Sequence, residues 1–285
     1  MSIDHISPTD NSWPELLAEL PEKEVPKQLY FEGTLPTKDE CCVAIVGSRH
    51  PTQSGIMATR LFTTALANAG VTVVSGLSVG IDGLAHQTAL SAKGRTIAVV
   101  GSGLDRSVLH PRRHLALAKE ILNQNGCLIS EYDPLTTPAR WTFPKRNRII
   151  AGITTATIVI EAGEKSGSLI TARCAMEYNR DVAAVPGNIF SDLSRGTNML
   201  ISKGAAVLRN EEDLYTFLGI TAPSMPITNM VADDFLQYFD GERTVEDILI
   251  RSGLSREALL AKISELEIRG NITHTGGTIY QKTNI

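Results

Sequence analysis

The sequence lacks any run of about 18 apolar residues, the length a membrane-spanning helix requires. Its start, Met1-Ser-Ile-Asp-His5, lacks the basic-then-apolar pattern of a secretory signal, so the expectation is a cytoplasmic protein with no membrane partner. Cysteine is sparse: Cys41, Cys42, Cys127 and Cys174 include one adjacent pair and no C-x-x-C, which excludes a disulfide framework or a zinc ribbon. Nothing in the pattern asks for a metal or a cofactor. Positive charge is not in excess either; with a formal net charge of −4, the protein as a whole does not attract nucleic acid or an anionic surface. Any site for a polyanion must be a local concentration of cations. Aromatics make up only 5% of residues, yet 42% are hydrophobic and 20% charged, the balance of an ordinary globular chain. The 285 residues accommodate one large domain and a smaller second one.

Short β-branched runs alternate with helical stretches from Cys41 to Leu218, the pattern of an α/β, Rossmann-like, doubly wound and mainly parallel sheet. Strands are expected at Cys42–Val46, Val71–Ser75, Thr96–Val100, Cys127–Ser130, Ala156–Ile160, Asp181–Val185 and Ala205–Leu208, with helices at Gly55–Ala69, Ile81–Ala92, His114–Gln124 and Ser168–Asn179. The expected division is a lead-in element at 1–40, packed on a Rossmann-like domain at 41–219, then a linker at 220–230 and a winged-helix domain at 231–285. The linker carries Gly219, Pro223 and Pro226. The last domain is expected to order three helices (233–239, 244–251 and 255–269) before a hairpin around Gly276-Gly277. Thr244-Val-Glu-Asp247 resembles a capping box, and Leu254, Leu259, Ile263, Leu266 and Ile268 form a buried face. From Asp233 onward nine acidic residues outnumber six basic ones, an unfavourable surface for duplex DNA. This domain is expected to contact protein.

In an open parallel sheet, ligands bind beyond the carboxyl ends of the strands. There the sequence places Gly47-Ser-Arg-His-Pro51, Ser75-Gly-Leu-Ser-Val-Gly-Ile-Asp-Gly83, Gly101-Ser-Gly-Leu-Asp105 and Glu161-Ala-Gly-Glu-Lys-Ser-Gly-Ser168. Glycine lets backbone approach a ligand closely, and N–H groups at a following helix start favour phosphate. The dinucleotide fingerprint fails because Arg106 stands where Gly101-Ser-Gly103 needs its third glycine, and no G-x-x-x-x-G-K-[ST] occurs. The sharpest signal is Pro138-Ala-Arg-Trp-Thr-Phe-Pro-Lys-Arg-Asn-Arg-Ile-Ile-Ala-Gly152. Arg140, Lys145, Arg146 and Arg148 neutralise phosphates, and Trp141 and Phe143 between them offer stacking faces, an arrangement suited to unpaired bases. The same stretch also fits a solvated face over a core Trp and Phe. His110-Pro-Arg-Arg-His114 fits either an extension of the positive surface or a solvated helix start. His86 reads as a structural histidine, and Glu161 and Asp82 as loop-organising carboxylates with no nucleophile paired to them.

Taken in order, Val46-Gly-Ser-Arg49, Ser75-Gly-Leu77, Gly80-Ile-Asp82, Ala85-His86, Gly101-Ser-Gly-Leu-Asp105, Phe143-Pro-Lys-Arg-Asn-Arg-Ile-Ile-Ala-Gly152, Glu161-Ala162, Ser166-Gly-Ser-Leu-Ile-Thr-Ala172, Pro186-Gly-Asn188 and Gly196-Thr-Asn-Met-Leu-Ile201 resemble the DNA processing protein A (DprA/Smf) family. The resemblance implies an extended Rossmann-like domain that binds single-stranded DNA, commonly as a dimer. It implies protection of incoming strands and loading of the recombinase RecA for homologous recombination in natural transformation, with no catalytic activity. Carried over, Arg49 would hold a phosphate, Arg140 and Lys145 would line the same pocket, and Phe143 would stack on a base. Gly47, Ser48, Gly167, Ser168 and Thr171 would supply donors, beside Arg146, Asn147 and Arg148 of the basic run. Val79 departs from the family, many of whose members have arginine there, and with about 40 residues before the first expected strand the N-terminal helical module of some members is not expected. The competing expectation is a LOG-type (lysine decarboxylase-like) nucleotide phosphoribohydrolase, opposed by the missing P-G-G-x-G-T-x-x-E signature.

Overall fold

The computed structural model describes residues 2–222, 234–239, 241–268, 271–276 and 279–282. The chain divides into two compact units, Met1–Pro223 and Ser224–Ile285.

The first unit contains strands β1 (Asp4–Ile6), β2 (Leu29–Gly33), β3 (Cys42–Val46), β4 (Thr72–Ser75), β5 (Thr96–Val99), β6 (Cys127–Ser130), β7 (Ala156–Val159), β8 (Asp181–Ala184) and β9 (Ala206–Val207). They form one sheet in the order β1-β2-β6-β5-β4-β3-β7-β8-β9. From β6 to β9 every neighbouring pair is parallel. The helices are α1 (Glu15–Ala18), α2 (Gln53–Asn68), α3 (Ile81–Ser91), α4 (Leu115–Asn123), α5 (Thr142–Gly152), α6 (Ser168–Glu177), α7 (Arg195–Ser202) and α8 (Glu211–Leu218). This is a Rossmann-like, mainly parallel α/β fold, and all seven strands expected from the β-branched runs are present.

The central strand shows why. All five residues of β3 are buried, as the continuous apolar run Cys42-Val-Ala-Ile-Val46 requires of a strand covered on both faces. Its side chains alternate between two cores. Cys42, Ala44 and Val46 join Ile149, Ile150 and Ala172 of α5 and α6, while Val43 and Ile45 join Phe62, Leu66, Ala85 and Ala89 of α2 and α3. The chain winds outward from β3 through β4, β5 and β6, then returns to β3's other side with β7. The connections leaving β3 and β7 therefore diverge at a switch point, and a crevice opens between them.

Several elements differ from expectation. The first 40 residues do not merely pack on the sheet but extend it: β2 pairs antiparallel with β6, and β1 with β2. Residues 142–152, read only as a basic segment, form α5. Pro144 masked this helix, yet it lies in the first turn, where its missing N–H would have no intrahelical partner. Leu254, expected to be buried, is 38% exposed and precedes its helix.

The second unit holds a 3-10 turn at Asp234–Phe239, β10 (Arg243–Thr244), α9 (Val245–Ser252), α10 (Arg256–Ile268), β11 (Ile272–Gly276) and β12 (Ile279–Lys282). The strands form a small antiparallel sheet in the order β10-β12-β11. The capping box forms: Asp247 N–H donates to Thr244 Oγ1 at 3.1 Å, and Thr244 N–H to Asp247 Oδ2 at 3.3 Å. Leu259, Ile263 and Leu266 are buried with Phe239 and Ile248. The first expected helix is a 3-10 turn and β10 is an addition; most of the expected linker, 223–230, and the hairpin tip, 277–278, lie outside the described residues.

Candidate nucleic-acid interface

At the switch point lies a cavity of about 660 Å³. The end of β3 contributes Gly47, Ser48 and Arg49, the β4–α3 loop Ser78, the start of α3 Asp82, α5 Phe143, Arg146 and Asn147, the β7–α6 connection Gly163 and Lys165 to Gly167, and the first turn of α6 Ser168 and Thr171; Arg140 stands at the approach to α5. The loop after β3 lies close against Gly80, which has φ +82° and whose missing side chain would collide with Ser48 O and come within 2.7 Å of Arg49 Cα. A side chain there would push the Gly47-Ser-Arg49 loop out of place.

Arg49 is exposed, with its guanidinium carbon 5.8 Å from the centre of the half-buried Phe143 ring. On another side of the ring His110 packs edge-on at 5.6 Å. Val79 borders a small recess beside Arg49 and Phe143. Arg140 and Lys165 are exposed on the same cavity. Among the described residues no ion pair engages Arg49, Arg140 or Lys165. Three unneutralised cations therefore converge on a cavity edged by an aromatic ring. Gly167 adds open backbone at the start of α6, where a substituted Cβ would meet nothing within 4 Å.

The basic run does not act as one surface. The helical repeat of α5 directs Phe143, Arg146, Asn147 and Ile150 into the cavity and sends Lys145 and Arg148 elsewhere. Lys145 and Arg148 line a second groove of about 550 Å³, so Lys145 does not share a pocket with Arg140. Lys145 pairs with Glu131 at 3.3 Å and lies 5.9 Å from the centre of the Tyr132 ring. Arg148 also pairs with Glu131 and donates to Glu24 O. Arg146 reaches the cavity but is only 3% exposed. It donates to Gly76 O at 2.6 Å, to Val99 O, and to Asn147 Oδ1 at 3.1 Å. Asn147 Nδ2 donates in turn to Gly167 O at 3.0 Å. Arg146 and Asn147 thus hold the ends of β4 and β5 and the α6 loop, contrary to the expectation of open phosphate donors. Burial lowers the Arg146 pKa to about 10, against the opposing charge of Asp82. Burial raises the Asp82 pKa, opposed by Arg146 and by hydrogen bonds from Ser78 and Ser75. Ser48, Ser168 and Thr171 line the cavity but are buried.

The loop-organising carboxylates and histidine behave as their chemistry suggests. Glu161 accepts from Thr52 N–H at 2.9 Å and from the Thr52 hydroxyl, tying the β7 end to the start of α2. Leu77 N–H donates to His86 Nε2 at 3.3 Å, so Nδ1 carries the proton and donates to Thr96 Oγ1 at 2.7 Å. Burial holds this neutral imidazole at a pKa of about 3. Among the described residues no group of three or more His, Cys, Asp or Glu is placed to hold a metal, and no helix is long and apolar enough to cross a membrane. Sequence reasoning missed Lys165, Ser78 and Ser166; the available signal was a lysine inside a Gly/Ser-rich loop directly before a helix.

Comparison with known proteins places this geometry in context. A family model described as DNA recombination-mediator protein A matches residues 4–219. The chain is 37% identical over 289 aligned positions to Protein Smf of Escherichia coli (strain K12), covering 96% of this chain and 76% of that protein. Among solved structures, DNA processing protein A of Streptococcus pneumoniae superposes with a TM-score of 0.69 at 37% identity, covering 76% of this chain and 74% of that one. DNA processing protein A of Helicobacter pylori, whose structure concerns its single-stranded DNA binding mode, gives 0.66 at 31% identity, covering 76% and 96%.

Proposed function

Because this chain belongs to the DNA recombination-mediator protein A family, we propose that it is a single-stranded DNA-binding protein that holds a strand in the cavity between β3 and β7 and passes it to the recombinase RecA in natural transformation. In this reading the protein acts as a homodimer, and the acidic second unit contacts protein. Arg49, Arg140 and Lys165 neutralise phosphates, Phe143 stacks on a base, and the open backbone at Gly167 donates to the strand. One observation carries the reading: an unpaired guanidinium and an aromatic face meet at the mouth of a cavity lined by two further unpaired cations. Charge sets affinity, and the ring requires bases that a duplex keeps stacked.

The test is a titration of wild-type and Arg49→Ala protein with single-stranded and duplex oligonucleotides across salt concentrations. About three neutralised phosphates give log affinity against log salt a slope of about −2 for single strands, and Arg49→Ala makes it shallower by about 0.7. Equal affinity for duplex, or a slope indifferent to Arg49, would overturn the reading.

A further inference from the structure

Resting on that reading of the first cavity, we propose that the second groove continues the same strand-binding path, with Lys23 and Lys27 of the N-terminal segment as phosphate contacts and Trp141 as a second stacking face. Two features join the grooves. Pro144 lines both. The residues directed into the second groove, Lys145 and Arg148, alternate along α5 with those directed into the first, so a chain leaving one groove over the first turn of the helix enters the other.

The chemistry also fits. Lys23 and Lys27 are exposed and, among the described residues, form no ion pair. The groove's two carboxylates, Glu24 and Glu131, are already matched by Arg148 and Lys145. Its lysines are therefore surplus positive charge. Trp141 is 62% exposed and stands edge-on to Tyr132, a groove residue, with ring centres 5.8 Å apart. The second groove thus combines surplus lysines with an exposed ring packed on one of its lining residues, Tyr132. An acidic peptide would use the lysines, but it would have no need of the stacking face or of continuity with the first cavity.

Length separates the two sites. The full chain and its Lys23→Ala/Lys27→Ala variant are titrated with oligothymidylates of about 4 and about 16 nucleotides, the range over which single-strand sites vary. The variant is expected to bind the longer strand about tenfold more weakly, with a salt slope shallower by about 1.4, and the shorter strand within twofold of wild type. Trp141→Ala is expected to weaken only the longer strand. Unchanged affinity for the longer strand, or an equal loss at both lengths, overturns the continuation while leaving the first cavity intact. The same result accompanied by competition from poly-glutamate assigns the groove to an acidic protein. If Arg49→Ala alters neither length, the first site fails and its continuation with it.

Discussion

The two sides of α5 carry similar residues to different ends. Toward the first cavity, Arg146 is nearly fully buried and hydrogen-bonded to the carbonyls of Gly76 and Val99, and this fixed scaffold presents Phe143 beneath the exposed, unpaired Arg49. Toward the second groove, Lys145 is half-exposed and paired with a carboxylate that Arg148 already holds. A cation's position along the sequence therefore says little about its role. What matters is whether its donors are spent on the protein or left for a ligand.

The largest effect should come from Arg146→Ala. It leaves two buried carbonyls and the Asp82 carboxyl without their guanidinium, so stability is expected to fall by about 3 to 5 kcal/mol in denaturant titration. A loss of binding with unchanged stability would instead make Arg146 a ligand contact and dissolve the contrast between scaffold and open cation. Phe143→Ala comes next. Its folded fraction should lose about 1 to 3 kcal/mol of single-strand affinity with little change in salt slope, because a stacking face and not a charge is removed. A shallower slope would show that the ring acts chiefly by orienting Arg49. Lys145→Ala should have the smallest effect. Its ion pair is half open to solvent on the lysine side and leaves Glu131 still held by Arg148, so its loss costs under about 1 kcal/mol, and affinity for a strand of about 4 nucleotides should not change. A large loss on that short strand would return Lys145 to the first site and erase the division between the two sides of the helix.

Much of this was legible from residues alone. The apolar runs marked the seven parallel strands because a strand buried on both faces tolerates few other residues. The loop after β3 was recognisable because phosphate chemistry favours Gly-Ser-Arg beside a strand end. The division of Arg140, Lys145, Arg146 and Arg148 was not legible. With Pro144 in their midst they read as an irregular segment, and without a helical phase they appeared to share one surface. Lys165 was overlooked although its Gly/Ser-rich loop was singled out, because only the approach of the β7 connection to the β3 connection sets it beside Arg49 and Arg140 on one cavity. The place of β2 was equally hidden, since its antiparallel pairing with β6 joins residues about a hundred positions apart.

By itself, then, the sequence determined the alternation of strands and helices, the composition of the loops at the sheet's carboxyl edge, and the family. These depend on local preference, hydrophobic periodicity and motif. Only the tertiary structure decided which cations remain free, because that depends on helical phase and on acceptors such as Gly76 O and Val99 O, supplied by distant parts of the chain.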